Sequence, residues 1–171
     1  HIVTYMDGEK MAEAHDRRSY KGAIGLQMHG GRENTHFRWK DVEIMTLPES
    51  PSDYQYMEEK LEQAPGEYAD LFAGKTLQDD FEVYWDQKAK WELKDGVLRG
   101  EDPAENGWIF TAESYSDFIL SVDFMNNKDG NAGIAIRFPW PADDNRETGP
   151  AKLGYELQIL DRNDDKVKNP T

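Results

Sequence analysis

Three Asp-Gly pairs, Asp7-Gly8, Asp95-Gly96 and Asp129-Gly130, punctuate this chain, each set beside short runs of apolar residues. An Asp-Gly pair tolerates positive φ at both central positions of the tight turn that matches the twist of two antiparallel strands, so the pair between apolar runs writes a hairpin. HIVTYMDGEKMAEA (1–14) holds one such unit, WELK and VLRG flank the second, and SVDFMNNK precedes the third. Short strands separated by turns of this kind predict an all-β chain folded as an antiparallel β-sandwich. Two stretches read otherwise. Residues 54–63, between Pro51 and Pro65, suggest a short helix, and residues 139–150 (PWPADDNRETGP) a polar loop, either a rim over a binding face or a plain surface excursion.

Composition bounds the function. With 171 residues, 37% of them apolar and 12% aromatic, the chain can bury a core and is not a disordered polymer. A formal charge of −14 repels a phosphate backbone, and no cluster of Lys and Arg interleaved with aromatics offsets it, so nucleic acid is not an expected partner. No apolar run approaches the roughly 18 residues of a membrane span, and no signal peptide opens this sequence. Cysteine is absent, which removes disulfides, thiolate chemistry and sulfur-bound zinc together.

Candidate site residues follow from alternation, because a strand sends successive side chains to opposite faces. In GYELQILD (154–161), Tyr155, Leu157 and Ile159 share one side and Glu156 with Gln158 the other. In GIAIRF (133–138), Ile134, Ile136 and Phe138 are expected to face the core, with Ala135 and Arg137 facing away. In IGLQMHG (24–30), Leu26 and Met28 face the core while Gln27 and His29 face away. If these strands are neighbours, Arg137, Glu156, Gln158, Gln27 and His29 form one polar patch, which Arg38 joins if Phe37 is a core residue. Simpler readings stand beside this one. Arg137 and Glu156 also suit a cross-strand ion pair on a solvated face, Gln27 and Gln158 ordinary outward positions, His29 a residue beside the Gly30-Gly31 turn, and Asp161 a strand-ending turn residue.

The segments GAIGLQMHGG (22–31) and THFRWKDVEIMTL (35–47) resemble the closing strands of the 3-keto-disaccharide hydrolase-like domain family, which folds as a concanavalin A-like jelly roll. LFAGKTLQDDFEVY (71–84), WELKDGVLRG (91–100), GWIFTAESYSDFILSVDF (107–124), NAGIAIR (131–137) and GYELQILD (154–161) resemble its opening strands. The C-terminal half of the domain thus precedes the N-terminal half. Residues 1–47 read as closing strands, 48–70 as a linker and 71–171 as opening strands of a sandwich that is permuted or incomplete, or else of a tandem junction. A sandwich lacking central strands leaves open edges, so pairing with a second copy or with a neighbouring domain of the same family is expected.

The resemblance implies a periplasmic or secreted setting and a carbohydrate substrate. A ketone at C3 of a glycoside acidifies the hydrogen on C2, so a base can form an enolate that expels the C1 group; water addition then completes net hydrolysis, and without it the reaction is that of a lyase. Such a site needs a base, for which His29 or Glu156 is suited, and donors for the enolate oxygen, for which Arg137 and Gln158 are suited, with a divalent metal as the alternative stabiliser. No other cofactor is called for. Trp108 and Trp140 offer indole faces for a pyranose ring, although Trp108 also reads as a partly buried sandwich residue. The acidic runs ADDNRE (142–147) and DRNDD (161–165) invite a calcium reading, but the second lacks the spacing and later Glu of a calcium loop and is better taken as a solvated charge cluster. The competing class is a non-catalytic carbohydrate-binding module, since this fold hosts both, and a third is a spacer within a larger protein.

Overall fold

The computed structural model describes residues 1–30, 35–47, 66–84, 90–101, 107–127, 130–139 and 150–160. Among them the elements run in chain order as β1 (Ile2–Met6), β2 (Glu9–Ala14), β3 (Ala23–Met28), β4 (His36–Thr46), β5 (Ala69–Asp70), α1 (Leu77–Asp80), β6 (Phe81–Tyr84), β7 (Lys90–Lys94), β8 (Val97–Glu101), β9 (Gly107–Thr111), β10 (Phe118–Asn126), β11 (Asn131–Phe138), α2 (Pro150–Leu153) and β12 (Tyr155–Leu160). The Asp-Gly pairs turn as their chemistry dictates. Asp7 and Gly8 join β1 to β2 with φ of 49° and 81°, and Asp95 and Gly96 join β7 to β8 with 53° and 71°. At the third pair Asp129 lies outside the described residues, while Gly130 donates its N–H to the Asn127 carbonyl at 3.0 Å.

Two five-stranded antiparallel sheets make the sandwich. Sheet one has the order β12-β11-β3-β9-β6; sheet two has β10-β4-β8-β7, with β5 added to β4. The hairpin β1-β2 forms a separate two-stranded sheet. Strands from residues 23–46 therefore lie inside both large sheets: β3 between β11 and β9, and β4 between β10 and β8. Ala69 and Asp70, placed in the linker by sequence, pair with Ile44 and Glu43. The short helix expected at 54–63 lies outside the described residues.

Alternation decides what fills the space between the sheets. Leu26, Met28, Ile134, Ile159 and Tyr155 from sheet one meet Phe37, Trp39, Val42 and Leu98 from sheet two in one buried cluster. Trp91 leans on Trp39 with ring centroids 5.7 Å apart. The layers are in direct contact at Gly100 of β8, where a β-carbon would stand 1.8 Å from the Met28 sulfur. At that position only glycine leaves room for the methionine.

One expectation is corrected here. Phe138 does not share the inward face of Ile134 and Ile136. Arg137 sits at φ 53°, and the pairing of β11 with β3 slips between Ala135 and Phe138. This bulge adds a residue, reverses the parity and turns Phe138 outward, where it stacks on Phe110 at 4.8 Å beside Ala23, Ala135 and Trp108. Sheet one therefore carries a second apolar cluster on its outward face.

Candidate functional site on the outward face of sheet one

The polar residues of β3, β11 and β12 stand in register across that face. One row runs Trp108, Gln27, Gly133, Gln158; the next, two residues along, runs Phe110, Gly25, Ala135, Glu156. Gly133 is the floor between them. A β-carbon there would lie 2.5 Å from Glu156 Oε1 and 3.2 Å from Gln27 Oε1, so both side chains converge over the space that a larger residue would fill. Gln27 is only 6% exposed, and its Oε1 has no hydrogen-bond partner among the described residues. A buried acceptor left in that state costs on the order of 1–3 kcal/mol, so a donor that enters the gap is favoured.

Gln158 is exposed and anchored. Its Nε2 donates to Asn131 Oδ1 and to the Ala132 carbonyl at 2.8 Å. Asn131, 4% exposed, belongs to the same face and was not singled out from the sequence, although its parity with Gly133 and Ala135 was available as a signal. Its carbonyl accepts from the His29 backbone N–H at 3.0 Å, which sets His29 in the row beyond Gln27. The half-buried His29 contacts the Gly30 carbonyl through Nδ1 at 3.0 Å. A carbonyl can only accept, so Nδ1 carries the hydrogen and the neutral ring keeps Nε2 as an acceptor. The Glu156 carboxylate reaches the Gly133 position on β11, one row and one strand from His29 on β3, an offset of about 8 Å at ~3.3 Å per strand residue and ~4.8 Å between strands.

The structure does not bring Arg137 or Arg38 into these rows. The Arg137 guanidinium is turned aside by the bulge, with Nε donating to the Ser116 carbonyl at 2.8 Å and Nη2 pairing with Asp117 at 3.3 Å. Its carbonyl accepts from Ser19 Oγ at 2.6 Å, so the left-handed backbone at Arg137 is held from several sides. Arg38 leaves the common core on the opposite side of the sandwich, because its neighbours Phe37 and Trp39 are buried between the sheets. There it lines a cleft of about 520 Å³ with Lys40, Arg99, Asp123 and Met6, remote from Glu156 by the thickness of the fold. Trp108 does lie on the Gln27 face but is 1% exposed and stacked on Phe110 at 5.6 Å, which makes it a wall of the site rather than an open platform. Trp140 and Asp161 lie outside the described residues, as do both acidic runs.

A family model described as a 3-keto-alpha-glucoside-1,2-lyase-like domain matches residues 67–171. The chain belongs to this family. In this 3-keto-glucoside lyase-like domain, Asn131, Gly133, Glu156 and Gln158 fall within the matched stretch, while Gln27 and His29 come from β3 outside it and complete the same sheet. No curated protein and no solved structure matches the chain. Among the described residues no helix is long and apolar enough to cross a membrane.

Proposed function

We propose that the outward face of sheet one acts on carbohydrate and that the chain cleaves 3-keto-glycosides, by removing the proton at C2 and expelling the group at C1. The observation that carries this reading is the convergence above Gly133 of the Glu156 carboxylate and the buried Gln27 Oε1, which has no hydrogen-bond partner among the described residues. Two acceptors around one gap call for donors between them, and a sugar presents hydroxyls at such spacings. Glu156 or the Nε2 of His29 takes the C2 proton; the electron pair of that C–H bond becomes the enolate and then the C1–C2 double bond as the C1–O bond breaks. The leaving oxygen takes up a proton, and water addition across the double bond gives net hydrolysis. The test is release of nitrophenol from a 3-keto-glucoside of p-nitrophenol. The wild-type chain should turn over, and Glu156→Gln or His29→Ala should lower kcat by roughly 100-fold or more with an unchanged melting temperature. Full turnover in both variants would remove this face from the mechanism.

A second reading is favoured by one observation. Both N–H bonds of the Gln158 amide are engaged with Asn131 and Ala132, and the bulge turns the Arg137 guanidinium toward Ser116 and Asp117, so neither donates to an enolate oxygen over Gly133 as it stands. With acceptors outnumbering such donors among the described residues, the face suits a binding module that holds a sugar without cleaving it. Saturable sugar binding that is lost in Glu156→Gln, with no turnover by the wild-type chain, would decide for the module.

A further inference from the structure

The β1-β2 hairpin carries a cluster of its own, away from the sugar face. The ladder pairs Ile2 with Ala14, so the residues next to them, His1 and His15, stand across from one another at the open end of the hairpin. Their imidazoles are stacked, with centroids 4.2 Å apart and planes 3° from parallel. Glu13, two residues before His15 and so on the same face of β2, places Oε1 2.7 Å from His1 Nε2 and 3.7 Å from His15 Nε2. One ligand atom from each of the three residues lies within 4.8 Å of the other two.

A hydrogen bond and a ring stack define the arrangement. The contact at 2.7 Å is a hydrogen bond, but 3.7 Å is too long for a second one, and two parallel imidazoles repel when both are protonated. An ion shared by the three groups removes that repulsion by holding both imidazoles neutral, once the exposed His15 ring turns out of the stack so that each nitrogen lone pair points at the ion. With metal–nitrogen and metal–oxygen bonds of about 2.0–2.2 Å, ligand atoms around a tetrahedral ion stand ~3.3 Å apart, between the two Glu13–imidazole distances of 2.7 and 3.7 Å. Lys10 Nζ binds Glu13 at Oε2, the other carboxylate oxygen, and so orients the carboxylate while Oε1 faces the imidazoles. Imidazole nitrogen excludes the hard ions Ca²⁺ and Mg²⁺ in favour of borderline ions.

From this geometry we propose that His1, Glu13 and His15 form a binding site for a divalent transition-metal ion, with Zn²⁺ the best match to a two-imidazole, one-carboxylate set. The site clamps the hairpin. Every residue of β2 is exposed, the pair forms a sheet of only two strands, and partly buried Ile2 packs against the core at its base. A two-stranded hairpin is marginal in water by itself, and an ion bridging its first and last residues fixes both strands where they meet the sandwich.

Isothermal titration of ZnCl₂ into the EDTA-treated 171-residue chain tests the site. The expected result is saturable binding of about one Zn²⁺ per chain with a rise in melting temperature, and no binding of Ca²⁺. His15→Ala and Glu13→Gln should each weaken binding by roughly tenfold or more, while His29→Ala and His36→Ala leave it unchanged. His15 and Glu13 are exposed, so both variants are expected to fold, and near-ultraviolet circular dichroism checks this. Absence of saturable binding, binding that survives both hairpin substitutions, or loss of binding in His29→Ala or His36→Ala would each overturn the proposal.

Discussion

At the scale of single residues, Gly133 is the position on which the proposed site depends most directly. A methyl group there meets Glu156 Oε1 at 2.5 Å and Gln27 Oε1 at 3.2 Å. Glu156 is half-buried at the end of a flexible stem and can swing away, so Gly133→Ala should fold almost as well as the wild type. The displaced carboxylate no longer faces the gap, and sugar affinity or kcat/KM is expected to fall roughly tenfold or more, equivalent to ~1.4 kcal/mol. Paired measurement of melting temperature and sugar binding checks this; equal losses in both would make Gly133 a packing residue only. Gln27, His29, Glu156 and Gln158 were legible as outward-facing positions because period-two alternation holds along β3 and β12. Gly133 was not, since a glycine leaves no mark in a pattern of polar and apolar side chains, although its space is what lets the other groups meet.

Among the elements, β8 and α1 make predictions of opposite kinds. At Gly100 the obstacle is buried: a β-carbon would lie 1.8 Å from the Met28 sulfur. Gly100→Ala should destabilise the fold by ~1–3 kcal/mol in denaturant titrations. Met28→Ala makes room for the added methyl, so the double variant should be more stable than the sum of the two single losses predicts. At α1 the interaction is electrostatic and exposed. Thr76 caps the helix by accepting the Asp79 N–H at 3.2 Å, and the Asp80 carboxylate accepts the Thr76 backbone N–H at 2.7 Å and pairs with Lys75 at 3.1 Å. The Thr76 N–H, followed by Lys75, lowers the Asp80 pKa from the ordinary 3.8. A carboxyl whose folded pKa is depressed adds stability above its unfolded value, and that stability is lost as pH falls through the folded one. Asp80→Asn should therefore flatten the loss of stability below about pH 4 and leave pH 7 to 9 parallel to wild type, as followed by thermal melts. The hairpin turns were readable from Asp-Gly pairs because the turn chemistry is local. The bulge at Arg137 was not, because a left-handed arginine is imposed by Ser19, Ser116 and Asp117, all distant in sequence. Strict alternation therefore misplaced Phe138.

In the whole molecule, the strands of residues 23–46 lie inside both sheets. Alternation shows which face a side chain takes but not which sheet a strand joins, so Arg38 could be grouped with Gln27 on the page and lie across the sandwich in space. The pairing of β3 with β11 and β9, and of β4 with β10, β8 and β5, predicts that residues 66–171 expressed alone expose the edges of these five strands. That fragment should aggregate or melt without cooperativity, and addition of a peptide covering residues 1–47 should restore a cooperative transition. A cooperative monomer of 66–171 by light scattering and calorimetry would contradict it. Gln27 has a consequence at this same scale. Its buried oxygen, on the central strand of a five-stranded sheet, has no hydrogen-bond partner among the described residues, so a ligand that supplies a hydrogen there stabilises the folded chain. Occupancy of the face and resistance to unfolding are then one linked equilibrium, and a change in melting temperature on adding a sugar reads out recognition without any chemistry having to occur.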